Sequence, residues 1–168
     1  MTRATVITCS DRAASDVYED RSGPILRSAL TDLGFDVAEA VIVPDSAELI
    51  RDAVLTAQRD GARIIFTTGG TGISPTDVTV ETVRGLLTYE IPGLMEEVRR
   101  VGAQKEPRAL LSRGVAGVLD GDPRAVVINA PGSRGGARDT IAVTGPLLKH
   151  LVEQLDGADH DLTRPASR

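Results

Sequence analysis

Short apolar runs alternate along the chain with longer stretches in which apolar residues recur at helical spacing. Runs rich in Val, Ile and Thr predict β-strands, and apolar positions that repeat every three to four residues predict amphipathic helices. Alternating strands and helices are typical of a mostly parallel sheet that is flanked by helices on both faces. The pattern therefore predicts an α/β fold, built as a single three-layer domain.

The predicted strands are short, and polar or glycine-rich residues follow most of them. They occupy residues 4–9, 37–43, 63–68, 115–119 and 125–128. The polar stretch 10–16 follows the first strand, and we predict a long loop there. Ligands of open parallel sheets bind at the carboxyl ends of the strands. The loops after these strands are therefore the candidate binding segments.

Helical spacing marks most of the remaining chain. The predicted helices occupy about 25–33, 49–57, 79–87, a run from 92, a short run from 107, and 137–155. Gly34 and Gly61 are suited to end the first two, since glycine accepts a left-handed backbone. The last helix is predicted to kink or divide at Gly145 and Pro146, because proline disrupts a helix interior.

The length of 168 residues fits one domain rather than two. We predict a folded domain over residues 1–155. The segment 156–168 is polar and has no apolar period, so we predict a disordered tail there.

The composition excludes several classes of partner. The net charge is −5, and aromatic residues make up 2% of the chain, with no Trp. A nucleic-acid partner is therefore not expected, since such proteins usually carry basic surfaces and stacking rings. Cys9 is the single cysteine, which excludes an internal disulfide and suits a reducing compartment. No apolar run approaches the roughly 18 residues that cross a bilayer, so we expect a cytoplasmic protein without membrane contact.

The densest chemical signal is the glycine-rich loop after the third strand. Gly69, Gly70 and Gly72 can admit close approach of an anion to the backbone, and Thr68 and Thr71 add hydroxyl groups. The helix that follows offers free N–H groups to a phosphate. The alternative is a turn that only reverses the chain. The loop matches neither a Walker motif nor the dinucleotide-binding glycine pattern.

Two acidic residues lie beside this loop in the predicted sheet. Asp45 follows the second strand, and Asp77 follows the glycine loop. Together they could hold Mg²⁺ next to bound phosphates, as magnesium-assisted phosphoryl or nucleotidyl transfer requires. Alternatively, Asp45 caps the following helix, and Asp77 or Thr79 caps the next one.

Further polar residues occur in two later loops. Ser112 and Arg113 could bind a second phosphate or a carboxylate, although an exposed arginine is often only a solvated charge. Pro131, Gly132 and Ser133 could form a second anion-binding turn or an ordinary chain reversal. His150 and His160 show no metal-ligand spacing, so surface positions are expected for both.

These motifs together resemble the molybdopterin adenylyltransferase family, the MogA/MoaB-type proteins related to the gephyrin G domain. The resemblance extends from about residue 5 to 155, with the motifs in family order. It is carried by the segment 10–20, the run 67–72, Asp77-Val78-Thr79, Ile91-Pro92-Gly93, Leu111-Ser112-Arg113 and Pro131-Gly132-Ser133.

The resemblance implies an enzyme of molybdenum cofactor biosynthesis. Such an enzyme uses Mg²⁺ and ATP to place an adenylyl group on the terminal phosphate of molybdopterin, and it releases pyrophosphate. The matching positions imply catalytic and magnesium-binding roles for Asp45 and Asp77. The resemblance implies substrate contacts at Ser10, Asp11, Thr68, Gly69, Gly70, Thr71, Gly72, Ser112, Arg113, Pro131, Gly132 and Ser133.

The resemblance also implies a homotrimer and a partner protein for the later insertion of molybdenum. Two other functions stay open at this stage. A MoaB-type protein could bind or deliver molybdopterin without turning over ATP. A nucleotide-using α/β protein of another pathway, such as a nicotinamide enzyme, is disfavoured by the missing glycine fingerprint after the first strand.

Overall fold

The computed structural model describes residues 1–15 and 19–157. Its strands are β1 (Arg3–Cys9), β2 (Asp36–Val37), β3 (Val41–Val43), β4 (Ile64–Thr68), β5 (Tyr89–Glu90), β6 (Ala116–Leu119) and β7 (Ala125–Ala130). Its α-helices are α1 (Asp11–Ala14), α2 (Gly23–Asp32), α3 (Ala47–Arg59), α4 (Thr79–Arg84), α5 (Pro92–Ala103), α6 (Arg134–Thr144) and α7 (Leu148–Leu155). The 3-10 helices are Pro107–Leu111 and Gly145–Leu147.

The strands form one sheet in the order β2-β1-β4-β7-β6-β5, and β3 pairs with the end of β1. The pairs of β1 with β2, β3 and β4, and of β4 with β7, are parallel. In contrast, β6 runs antiparallel to both β5 and β7. The predicted fold class, a mostly parallel sheet with helices on its faces, is confirmed.

Alternation along the strands divides the core between the two sheet faces. Val6, Phe66 and Ile128 pack on one face against α2, α5, α6 and α7. Their chain neighbours Ile65 and Val127 point to the other face, towards α3 and α4. Successive strand residues point to opposite faces, so strands buried on both sides are apolar throughout. The three-layer arrangement follows directly from this pattern.

Several local predictions are corrected. The predicted strand 37–43 is two short strands, β2 and β3, and their pairing with β1 shifts by one residue between Ala4↔Val37 and Ile7↔Val41. Such a shift corresponds to one extra residue, as in a β-bulge. The predicted loop 10–16 contains α1, which Ser10 caps by accepting from the Ala13 N–H. The two-residue strand β5 was not predicted.

The predicted division of the last helix is confirmed. The last helix divides at Gly145 and Pro146, as predicted, into α6 and α7 with a 3-10 turn between them. Asp156 follows α7 and receives a hydrogen bond of 2.6 Å from Arg63 Nη2. The rest of the predicted tail, from residue 158 onward, lies outside the described residues. In residues 1–15 and 19–157, no helix combines the length and apolar content that a bilayer span requires.

Strand register sets the position of the candidate loops. Thr8 of β1, Thr68 of β4 and Ala130 of β7 lie level across the parallel part of the sheet. Because β6 is antiparallel, its start at Ala116 reaches the same edge as their carboxyl ends. Ser112, in the segment before β6, therefore joins the loops that follow the other strands.

Candidate functional site

The glycine loop begins with two residues in the left-handed region. Gly69 has φ of +101° and Gly70 has φ of +61°. A Cβ on Gly69 would collide with the Cys9 carbonyl oxygen, and one on Gly70 would collide with the Thr79 side chain. Both positions therefore favour glycine, because an L side chain would add backbone strain as well as a collision. The structure places the loop directly against β1 and α4.

Hydrogen bonds tie this loop to the turn after β7. The Gly69 N–H donates to the Ala130 carbonyl at 3.1 Å. The Thr68 hydroxyl donates to the Pro131 carbonyl at 3.0 Å. A Cβ on Gly132 would lie 3.1 Å from the Gly69 Cα, so the two turns approach closely. The hydroxyl of Thr68 thus holds the two candidate loops together.

Asp45 is held by a reciprocal pair of hydrogen bonds with Asp11. The Asp11 N–H donates to Asp45 Oδ2 at 3.0 Å, and the Asp45 N–H donates to Asp11 Oδ1 at 2.8 Å. Asp45 is not the cap of α3, since Ser46 takes that role by accepting from the Leu49 N–H. The capping alternative for Asp45 is therefore wrong. Half-buried Asp45 is instead fixed by Asp11 at the start of α1.

The surroundings of Asp45 disfavour its charged form. Burial raises the pKa of the Asp45 carboxyl, and the negative charges of Asp11 and Asp77 raise it further, while the hydrogen bond from the Asp11 N–H acts in the opposite direction. Crowded carboxylates in a partly desolvated site repel one another. A cation placed among them would relieve this repulsion.

Asp77 is held by its own turn. Its Oδ2 accepts from the Ser74 N–H at 2.8 Å. Val78 is the N-cap residue of α4 and no side chain caps that helix, so the predicted caps Asp77 and Thr79 are both wrong. A Cβ on Gly72 would lie 2.8 Å from Asp77 Oδ2, which shows how closely the glycine loop passes this carboxylate.

Asp45 and Asp77 line one cavity of about 330 Å³, which we name the acidic cavity. The predicted site residues that also line it are Ser10, Asp11, Thr68, Gly69, Gly70 and Gly132. Glu19 and Asp20 lie there too and were not predicted as site residues. Asp20 accepts from the Thr8 hydroxyl at 2.7 Å and from the Gly23 N–H at 3.0 Å at the start of α2. An acid just before a glycine-proline helix start was the available sequence signal.

All the remaining predicted residues except Arg113 line a second cavity of about 670 Å³, which we name the wide cavity. They are Thr71, Gly72, Ser112, Pro131 and Ser133. The glycine loop thus contributes its first half to the acidic cavity and its second half to the wide cavity. Ser133 also caps α6, since its hydroxyl accepts from the Gly136 N–H at 3.0 Å.

Basic side chains surround the wide cavity. Lys105, Arg108 and Arg138 line it. Lys105 donates to Asp139 at 2.8 Å, and Arg108 pairs with Glu106 at 2.8 Å. Among residues 1–15 and 19–157, exposed Arg138 has no hydrogen-bond or ion-pair partner. A guanidinium in that state is available to an anionic ligand.

Arg113 belongs to neither group of cavity residues. Its Nε donates to the Gly72 carbonyl at 2.7 Å, its Nη2 donates to the Asp77 carbonyl at 3.1 Å, and its Nη1 pairs with Glu81. Its backbone N–H donates to the Thr71 carbonyl at 2.8 Å. The guanidinium is therefore engaged by the protein itself, while 34% of the side chain stays exposed.

The carboxylate oxygens of the acidic cavity fit a magnesium ion whose coordination shell is completed by a bound ligand. Within the described residues, no group of three or more His, Cys, Asp or Glu side chains is arranged to hold a metal. Asp45 and Asp77 each use Oδ2 in the backbone hydrogen bond described above. Each therefore keeps Oδ1 for a cation. Mg²⁺ is commonly held by one or two carboxylates together with substrate phosphates and water.

The single cysteine, Cys9, also lines the acidic cavity. Burial raises the pKa of the Cys9 thiol to about 12, so the thiol stays protonated at neutral pH. The His150 side chain is exposed on α7, as predicted, and lies 3.7 Å from Glu153. His160 lies outside the described residues.

Comparison with known proteins also indicates a molybdopterin-related protein. Residues 5–150 match the family model described as a probable molybdopterin binding domain. The molybdenum cofactor biosynthesis bifunctional protein of Synechococcus elongatus is 41% identical over 157 residues, which make up 94% of this chain and 48% of that protein. The molybdopterin adenylyltransferase of Pyrococcus furiosus is 32% identical over 151 residues, 88% of each chain. The chain spans about half the length of the bifunctional relatives it matches.

A solved structure agrees with these sequence matches. The molybdopterin biosynthesis Mog protein from Mycobacterium ulcerans superposes with a TM-score of 0.85 at 41% identity, over 92% of this chain and 99% of that chain. The shared fold and the matched family model cover the sheet, both helical layers and the glycine loop. The chain therefore belongs to the MogA/MoaB-type molybdopterin-binding family, whose members act in molybdenum cofactor biosynthesis.

Proposed function

We propose that the protein transfers the adenylyl group of ATP to the terminal phosphate of molybdopterin in a magnesium-dependent reaction. The observation that carries this proposal is the meeting of Asp45, Asp77 and the loop residues Gly69 and Gly70 in one cavity. Acidic side chains beside a glycine turn suit a metal-phosphate ligand better than a neutral one. The name of the Pyrococcus relative, molybdopterin adenylyltransferase, supports the same reaction.

In this proposal Asp45 and Asp77 would hold Mg²⁺ through their Oδ1 atoms. The bound ion would offset the charge of the phosphates and of the departing pyrophosphate. An oxygen of the molybdopterin phosphate forms a bond to the α-phosphorus of ATP. The bond from that phosphorus to the β-phosphate oxygen breaks, and pyrophosphate leaves with the electron pair. The chain supplies orientation and charge and forms no covalent intermediate.

We assign the wide cavity to the organic part of molybdopterin and its phosphate. This cavity is larger than the acidic cavity and is lined by Arg138, Ser112 and Ser133. Its basic side chains complement an anionic ligand, whereas the carboxylates of the acidic cavity require a cation between themselves and a phosphate. The glycine loop lines both cavities, which would bring the two substrates together.

The family resemblance leads us to propose further properties. They are a homotrimer, a cytoplasmic location and a partner protein that inserts molybdenum into the product. Light scattering of the purified protein measures its mass in solution directly. A mass of three chains supports the trimer, and a mass of one or two chains contradicts it.

The reaction is tested with ATP labelled at the α-phosphate. Purified protein, molybdopterin and Mg²⁺ should yield labelled adenylyl-molybdopterin and an equal amount of pyrophosphate. Omission of molybdopterin or Mg²⁺ should abolish both products. Unchanged ATP together with thermal stabilisation by molybdopterin would contradict the enzyme and support the non-catalytic MoaB-type binding or delivery function instead.

A further inference from the structure

Arg113 bridges the two ends of the turn that carries Asp77. The Gly72 carbonyl accepts from its Nε at 2.7 Å, and the Asp77 carbonyl accepts from its Nη2 at 3.1 Å. Inside that turn, the Ser74 N–H holds Asp77 Oδ2 at 2.8 Å. A single planar guanidinium therefore spans the segment that determines where the Asp77 carboxylate points.

Glu81 of α4 completes this arrangement. Its carboxylate pairs with Arg113 Nη1. The hydrogen bond from Arg113 is the largest cause that lowers the pKa of Glu81, so the pair is ionised at neutral pH. Three of the five N–H donors of this arginine are already used by a carboxylate and two carbonyls of the protein. The geometry therefore favours a role towards the protein over a role towards the substrate.

We propose that Arg113, supported by Glu81, is a positioning residue that acts through Asp77 and does not bind a substrate phosphate. The inference rests on the proposed adenylyl transfer and changes the role that sequence reasoning gave to Arg113. The planar fork of arginine matches two acceptors at fixed spacing, which the single ammonium group of lysine does not reproduce. A displaced catalytic group reduces turnover without weakening the binding of substrates that it does not touch.

The kinetic test compares Arg113→Gln, Arg113→Lys and the control Arg100→Gln. Arg100 forms a surface pair with Glu97 at 2.7 Å. We expect Arg113→Gln to lower kcat by about 10²-fold with both KM values unchanged, the size of effect that small misplacements produce. Arg113→Lys should retain an intermediate kcat, and the control should match the wild type.

A double-variant cycle separates positioning from direct binding. If Arg113 acts only through Asp77, adding Arg113→Gln to Asp77→Asn should lower kcat no further, because residues in one unit are non-additive. Additive losses, or a higher KM for ATP or molybdopterin in Arg113→Gln with kcat unchanged, would overturn the proposal and assign Arg113 to a substrate phosphate.

Amide hydrogen exchange gives a readout that does not depend on activity. The peptide spanning residues 70–80 should lose protection in Arg113→Gln and keep it in Arg100→Gln, with the rest of the chain unchanged. Unchanged protection of this peptide would overturn the positioning role. If the wild-type protein is inactive, the proposed function is refuted but the positioning role is not. The exchange result still decides whether Arg113 orders the turn. If Arg113→Gln loses protection throughout the chain, the variant is unfolded. The kinetic and exchange measurements on Arg113→Lys then decide the proposal.

Discussion

The acidic cavity and the wide cavity share one glycine loop yet differ in charge and size. The first has a volume of about 330 Å³, and its charged lining residues are five acids, Asp11, Glu19, Asp20, Asp45 and Asp77, and two bases, Arg12 and Arg21. The second encloses about 670 Å³ and is lined by Lys105, Arg108 and Arg138 as well as two acids. The excess of acids over bases in the first cavity favours a bound cation, whereas the excess of bases over acids in the second favours an anion. We therefore propose that metal binding and anion recognition occur on opposite sides of the loop.

The largest expected effect is on catalysis in the acidic cavity. Asp77→Asn should lower kcat by about 10²–10³-fold, the range found when one group that stabilises developing charge is removed. Stability should change little, because the substituted side chain keeps an oxygen that can accept from the Ser74 N–H. Steady-state kinetics and thermal unfolding measure the two effects.

The exposed Asp52 on α3 gives a matched control for that prediction. Asp52→Asn removes the same charge outside both cavities and should leave kcat unchanged. Equal losses of activity and stability in Asp77→Asn would instead indicate a purely structural aspartate.

The next effect concerns the loop that separates the cavities. Gly70→Ala should lower the free energy of unfolding by about 1–3 kcal/mol from backbone strain at its positive φ. The collision with the buried Thr79 side chain should lower it further. Gly93→Ala in α5 is the control, because open space surrounds a Cβ at that position. Chemical denaturation should show a loss for Gly70→Ala only, and equal midpoints would contradict the close packing of the loop.

A smaller effect, on KM rather than on kcat, is expected from a substitution in the wide cavity. Arg138→Gln should raise the KM for molybdopterin by about tenfold, comparable with the loss of one charge-assisted hydrogen bond. Its kcat and its KM for ATP should stay unchanged. Arg100→Gln, which removes an exposed arginine paired with Glu97, serves as the control. A raised KM for ATP in place of molybdopterin would reverse the assignment of the two cavities.

The smallest effect is a pH dependence of stability at Asp45. Its pKa is raised in the folded state, so the charged form destabilises the fold, and acidification through that raised pKa relieves the strain. Asp45→Asn should therefore unfold at a higher temperature than the wild type at neutral pH. The difference should shrink as pH falls through the raised pKa towards the ordinary value of an aspartate. A difference that is constant with pH would contradict the repulsion.

Elements with strong local patterns were predictable from the sequence. The strand ending at Thr68 and the division of the last helix at Pro146 follow from apolar runs and proline chemistry. The hairpin of β6 and β7 was missed, although the turn at Asp120 and Gly121 leaves too few residues for a parallel crossover. The two residues of β5 are too short to show any period.

The site was less predictable than the fold because its geometry depends on distant contacts. Asp45 and Asp77 were predicted from their positions after strands, and the structure brings them to one cavity. The interaction of Arg113 with Gly72 spans 41 positions, and that of Asp11 with Asp45 spans 34. No local pattern encodes such pairs. Whether a polar residue faces a ligand or holds a neighbour is therefore decided only by the folded chain.

Equilibrium binding of Mg²⁺ tests the account most directly. The titration uses the protein saturated with a non-hydrolysable ATP analogue, in the wild type and in Asp45→Asn, Asp77→Asn and Asp52→Asn. The account predicts one ion bound per site, with affinity lowered at least about tenfold by either cavity substitution and unchanged by Asp52→Asn. Equal affinity in all four proteins would contradict the claim that these two carboxylates hold the ion.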